Sequence, residues 1–227
     1  MSVGFDAKMT GGNGSGGTNQ YTAVAATSIS STGMTVGVGA TLLVAIAVIN
    51  GPNTGSMAAT WNSVAMAIAA VIQVTGMTIA IFTLVNPASG NKTLASSWTG
   101  SFNGYLSSIS FTGTDTVTGY KSADSVTGSG ASQANESLVV NTGSTGATVA
   151  ALGDNSGVIT VSTQTSIFAN TQSAPNGAAS YGLGGSGTNT HTFTFASSPI
   201  VAWAGIHVIA PPVATGGLLL TSNQGGF

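Results

Sequence analysis

Residues 64–85 run for 22 positions without a charged side chain (VAMAIAAVIQVTGMTIAIFTLV), and such a stretch is either a membrane-spanning helix or strands buried on both faces. Its composition favours strands. Gln73, Thr75, Gly76 and Thr78 sit in the middle, no Lys or Arg cluster flanks it, and its apolar residues are mostly Ala and β-branched, which disfavours a span. Two strands meeting at Thr75-Gly76 account for it. Residues 77–85 alternate Ile79, Ile81, Thr83 and Val85 against Thr78, Ala80, Phe82 and Leu84, the pattern of a central strand. Asn86-Pro87-Ala88-Ser89-Gly90-Asn91 then supplies a fixed φ, a side chain that bonds its own backbone and a residue free to take positive φ, which together turn the chain. Residues 93–98 are more polar, as in a strand with one wet face. The expectation is a hairpin over 77–98 in a chain organised by antiparallel hairpins.

The surface this fold presents is unusual. Charged residues make up 4% of the chain, against about 25% in a typical soluble domain, and Gly, Ser, Thr, Asn and Ala take their place. With 42% hydrophobic residues the chain has the apolar content that disordered segments lack. Three basic residues and a net charge of −2 leave nothing to neutralise a nucleic-acid backbone or to hold an anionic membrane. Cysteine is absent, so disulfides and thiolate chemistry are excluded and the redox compartment stays open. The opening MSVGFDAKMTGG lacks a basic segment followed by an apolar run, so no Sec-type signal is visible. Sparse charge does little to keep molecules apart, and a homo-oligomer is expected.

Residues 1–19, with GGNGSGGTNQ, read as a glycine-rich N-terminal arm, 20–210 as one β-sandwich domain and 211–227 as a C-terminal tail. Strands are expected over 20–28, 35–39, 42–50, 57–61, 64–74 and 105–112, with Asn62-Ser63 as a tight turn. Further strands are expected over 137–140, 147–152, 158–168, 178–183, 188–195 and 200–210, the last stopped by Pro211-Pro212. Residues 113–135, which carry Asp115, Lys121 and Asp124 with Glu136 just beyond, read as a solvated connection. Many short strands separated by turn residues indicate an all-β antiparallel sandwich or barrel. In the tail, Leu218, Leu219 and Leu220 are candidates for an assembly contact, as a strand added to a partner's sheet edge.

The succession FDA, VGVGATLLVAIAVIN, IFTLVNPASGNKTLASSWTGS, YLSSISFTGTD, SLVV and VAWAGIHVIA resembles a recurring uncharacterised jelly-roll-like β-sandwich domain of phage virion proteins and bacterial surface proteins. The likeness covers roughly residues 5–210. It departs at Ile81-Phe82-Thr83, where an aromatic pair is common. The resemblance implies a jelly-roll-like sandwich and a non-enzymatic virion structural protein, a capsid decoration, a spike or a tail-associated component. Its partners would be other virion proteins and copies of itself, with a host surface glycan as a further candidate. The alternative is a carbohydrate-binding adhesin module, extracellular or at a cell surface. The family brings no catalytic residues to carry over.

The residues themselves offer little chemistry. His191 in THTFTF and His207 in AGIHVIA lack nearby Cys or carboxylates at ligand spacing, so no metal is expected and His207 reads as a core or rim residue. No G-x-S-x-G motif is present, and spacing is silent on a Ser-His-Asp triad because triads are assembled in three dimensions. Asp6, Asp115, Asp124, Glu136 and Asp154 are not set among aromatics as glycosidase acids would be, and no EF-hand pattern accompanies them. Sugar stacking would use exposed rings. Tyr105, Tyr120 and Tyr181 are the candidate glycan contacts, with Trp98 beside them, although Trp61, Trp98 and Trp203 lie in strand patterns that place them in the core. Thr188, Thr190, Thr192 and Thr194 alternate as a flat adhesive or ice-binding face would. No catalytic, cofactor or metal residue is expected.

Overall fold

The computed structural model describes residues 2–9, 20–21, 25–51, 57–74, 76–131, 135–143, 145–154, 159–169, 176–184, 187–195 and 200–212. Among them there are strands and turns but no helix. The first half contributes β1 (Gly4–Lys8), β2 (Gln20–Tyr21), β3 (Ala26–Ser31), β4 (Thr35–Val36), β5 (Ala40–Ile49), β6 (Ala58–Trp61), β7 (Val64–Ala65), β8 (Ala67–Val74), β9 (Met77–Val85), β10 (Gly90–Asn91), β11 (Leu94–Phe102) and β12 (Gly104–Thr112). The second half contributes β13 (Tyr120–Ala131), β14 (Asn135–Gly143), β15 (Ala147–Asp154), β16 (Ile159–Val161), β17 (Thr165–Ala169), β18 (Asn176–Leu183), β19 (Gly187–Phe195) and β20 (Ile200–Val208).

These strands stack as four layers. An inner sheet of order β1-β12-β5-β9-β8 is backed by an outer sheet β3-β11-β6-β7, and a second inner sheet β13-β20-β15-β18-β17 is backed by β14-β19-β16. The two inner sheets face each other. Along β5, Leu42, Val44, Ile46 and Val48 point into the core between the inner sheets, while Leu43, Ala45, Ala47 and Ile49 point toward the outer sheet. In β15, Ala147, Val149 and Ala151 face the first half, and Ala150 and Leu152 face the second outer sheet. A strand covered on both faces has no position left for a polar residue facing water, which is why these segments read as unbroken apolar runs.

Both halves follow the same path. Numbering eight main strands within each half, β1, β3, β5, β6, β8, β9, β11 and β12 correspond to β13, β14, β15, β16, β17, β18, β19 and β20. Each inner sheet then has the order first-eighth-third-sixth-fifth, and each outer sheet holds second-seventh-fourth. This alternation between two antiparallel sheets is jelly-roll-like, with the fifth strand lying beside the sixth in the inner sheet. The molecule is one domain made of two jelly rolls placed back to back on a common core, in agreement with the all-β sandwich expected from the residues.

Several local expectations hold. Asn62 (φ 50°) and Ser63 (φ 66°) form the two-residue turn between β6 and β7, the positive-φ pair that matches strand twist. The charge-free run is β7, β8 and β9, with Gly76 at φ 81° in the turn before β9. Others are corrected. Residues 77–98 are not a hairpin: β9 lies in the inner sheet and β11 in the outer one, because the turn at Asn86 (φ 50°) carries the chain across the sandwich. The Asn86 amide donates to Thr41 O (2.9 Å) and the Trp61 indole N–H to Ala88 O (2.8 Å), which pins that crossing. Part of the expected N-terminal arm is β1, paired with β12. Asp6 holds it there by accepting from the Gly37 amide (2.9 Å) and the Ser110 hydroxyl (2.6 Å). The expected solvated connection over 113–135 contains β13, whose polarity is that of an edge strand with one wet side. Its Gly128 leaves room for Trp203, since a Cβ there would sit 2.4 Å from the indole Cζ2.

Candidate functional site

Among the described residues a cleft of about 290 Å³ opens where the first inner sheet ends. Ala65, Ala67, Thr83, Leu84 and Val85 form one side, and Val117 and Thr118 from the connection between the halves, with Tyr120 at the start of β13, form the other. Asp115 builds that second wall. Its Oδ1 accepts from the amides of Val117 and Thr118, each at 2.9 Å, and these bonds, Thr118 first, hold its carboxyl below the usual range. Tying down the loop this way leaves Val117 81% exposed. Tyr120 closes the end, its hydroxyl reaching Ile68 O at 3.4 Å. The lining is mostly apolar and carries no charge, so the cleft suits an aliphatic side chain better than a charged ligand.

A second cluster lies buried between the two sheets of the second jelly roll. β15 supplies Thr148, β18 Ser180, and β19 Asn189 and His191, all facing the interior because each strand alternates. Asn189 Nδ2 donates to Thr148 Oγ1 (3.0 Å) and to Gly184 O (3.2 Å). Thr148 Oγ1 lies 2.8 Å from His191 Nε2, and Ser180 Oγ 2.7 Å from His191 Nδ1. With the Asn189 N–H spent on Thr148 Oγ1, the arrangement that gives each hydrogen a role has the Thr148 hydroxyl donating to Nε2 and the Nδ1–H donating to Ser180. Burial pushes the His191 pKa down to about 4, so the ring is neutral at ordinary pH. A hydroxyl so close to an imidazole has the geometry of a nucleophile and its base. Here, however, the Ser180 hydroxyl accepts the ring N–H where a carboxylate would orient the ring, and Thr148, Ser180 and His191 are all buried. The cluster acts as a polar strut between sheets. Among the described residues no group of three His, Cys, Asp or Glu side chains could hold a metal.

The proposed sugar contacts separate. Tyr105 and Tyr181 are buried and bridge the jelly rolls: Tyr105 stacks on Phe168 with ring centres 4.4 Å apart, and Tyr181 stacks on Phe5 at 5.3 Å and meets Phe111 edge-on at 6.1 Å. Neither offers a free ring face to a glycan, because each lies at the seam between two sheets that the sequence does not show to be neighbours. Tyr120 alone of the three lines the cleft. Trp61 and Trp98 are buried, and the Trp98 indole N–H donates to Ala26 O at 2.8 Å. His207 is buried on β20 directly opposite Thr148. Leu218, Leu219 and Leu220 lie outside the described residues. What sequence reading missed is the cleft wall. Its one local signal is Asp115 followed by Val117, Thr118 and Gly119, an acid that caps its own loop and so lifts a valine into solvent.

No family model matches the chain, and no curated protein does. Among solved structures, a conserved protein of unknown function from Pseudomonas aeruginosa is similar at 13% identity with a TM-score of 0.31, over 91% of this chain and 98% of that one.

Proposed function

We propose that the protein is a non-enzymatic virion structural component, a capsid decoration, spike or tail-associated protein, that packs its uncharged sandwich against copies of itself and other virion proteins. One observation carries the assembly part of this reading. On the outward side of the β14-β19-β16 sheet, Thr188, Thr190, Thr192 and Thr194 stand opposite Asn141, Val139, Ser137 and Asn135, with Ser137 and Thr192 hydroxyls 3.0 Å apart. That face holds hydroxyls, amides and one valine, and no charge, so a partner can cover it without desolvating ions. The virion itself rests on the sequence resemblance. Mass spectrometry of purified particles tests it directly; detection only in another fraction ends the reading. For the surface, light scattering should report oligomers that Thr190→Lys with Thr192→Lys dissociates, and a protein that stays monomeric at high concentration contradicts it. A glycan-binding module is the second reading, favoured by the placement of Tyr120 in the cleft, and a glycan-array signal lost in Tyr120→Ala would support it.

A further inference from the structure

We propose that the outer edge of β8 pairs with the same edge of a second copy of this chain, antiparallel about a two-fold axis, so that the first inner sheet runs unbroken through a dimer. Among the described residues β8 is the last strand of its sheet and pairs only with β9. Alternate residues of such a strand turn their N–H and C=O groups away from the sheet, where an added strand can take them. Beside this edge Val64 is 51% exposed, Ile68 and Val71 46% each, and Val117 81%. Half of the large apolar side chains exposed among the described residues gather here. Ile68 and Val71 lie opposite Phe82 and Ala80 of β9, on the face turned toward the outer sheet, and that sheet stops at β7.

The other edges of the inner sheets are guarded. β1 carries Asp6 and Lys8 and breaks register between Phe5 and Ala7. Lys8 Nζ donates to Ser166 O on β17, and Phe5 stacks on Tyr181, so the β1 and β17 edges are tied to each other. β13 holds Lys121 and Asp124 and breaks register between Lys121 and Val126. Charges and bulges are the ordinary means of keeping a strand edge from pairing. β8 has one irregularity, between Ile68 and Ala70, beyond which residues 70–74 follow β9 without a break, and no charge stands from Val64 to Val74. The missing charge also selects the partner. Such an edge gives an oppositely charged protein nothing to recognise, whereas a two-fold mate presents the same uncharged strand in return. With 4% charged residues and a net charge of −2, two copies meet with little repulsion. This edge belongs to the first half and the threonine face to the second, so the two contacts are separate and the inference does not depend on the proposed virion role.

The test uses the full chain. Thr190→Lys with Thr192→Lys removes the threonine-face contact, and sedimentation of that variant should show a dimer. Adding Val71→Lys and Gln73→Lys, both at exposed positions, sets like charges against each other across the two-fold and should leave a monomer. A chain already monomeric before the β8 lysines are added would overturn the proposal, and so would a dimer that survives them. The absence of native cysteine gives a second reading in the otherwise unchanged chain. Ile68→Cys, Val71→Cys and Gln73→Cys are made singly and oxidised beside Val38→Cys. Val38 is 95% exposed, and the amide of its neighbour Gly37 donates to Asp6 of β1, at the opposite edge of the sheet. The fastest of the three β8 variants should form a disulfide between copies at least about tenfold faster than Val38→Cys. Equal rates would overturn the proposal and leave the edge to a strand from a different protein.

Discussion

The two jelly rolls trace the same path through eight strands, yet fill the space between their sheets with different chemistry. In the first, Trp61, Trp98, Phe82, Met9, Met34, Met57 and Met66 close the gap between inner and outer sheets, with each indole N–H satisfied by a backbone carbonyl. In the second, the apolar part is smaller, made of Leu138, Leu152, Ile159, Phe193, Val201 and alanines, and the Thr148–His191–Ser180 strut takes up the rest. The same topology therefore closes by bulk in one half and by satisfied polar groups in the other. Bulk is indifferent to pH, and a buried imidazole is not. The layer they share shows a third solution, apolar on both sides, in which Leu42, Val44, Ile46, Ile79, Ile81 and Ile109 of the first half meet Val149, Ile167, Phe168, Ile206 and Val208 of the second together with Ala147, Ala151, Ala179, Ala202 and Ala204.

The largest effect is expected where bulk alone closes the gap. Trp61→Ala should cost about 3–5 kcal/mol, seen as a lower urea midpoint with little change in its shift between pH 7 and pH 4. A pH-dependent loss would break the contrast between the halves. Next comes the strut. The His191 pKa of about 4 in the fold lies below the unfolded value near 6.5, so the unfolded chain binds the extra proton first. Stability is therefore complete above pH 6.5 and falls as pH drops toward 4, by about 3 kcal/mol in all. Urea midpoints across that window should show this slope in the wild type, and His191→Gln should remove it while lowering stability at pH 7. An unchanged slope in the variant would assign the pH response elsewhere. The smallest effect tests the shared layer. A Cβ at Gly153 would sit 2.6 Å from Met77 Sδ and 2.9 Å from Val48 Cγ1, so Gly153→Ala should cost about 1–3 kcal/mol. Adding Val48→Ala should recover part of that loss, and strict additivity of the two changes would mean that the sheets do not meet there.

Most strands were legible in the residues, and for a stated reason. Alternation in 77–85 and the unbroken apolar run of 42–49 report burial on two faces, and Asn62-Ser63 marks a turn by its tolerance of positive φ. β13 was hidden because an edge strand with a wet side has the polar composition of a loop. The crossing between β9 and β11 was hidden because a turn sequence states that the chain bends, not whether the next strand pairs in the same sheet. The site was less legible still. Val117 reaches the cleft through a loop closed by Asp115, and His191 draws its two hydroxyl partners from strands 43 and 11 residues away.

Local pattern alone established an all-β chain with doubly covered strands, few charges to repel a neighbour, and no thiol chemistry, since backbone periodicity and side-chain type are properties of short stretches. Only the tertiary structure decided that the strands form two equivalent jelly rolls back to back, that Tyr105 and Tyr181 lie at their seam, and that an apolar cleft opens beside β8. Sheet order and layer contacts depend on residues far apart in the chain, and nothing in a strand's own sequence names the strand it will lie against.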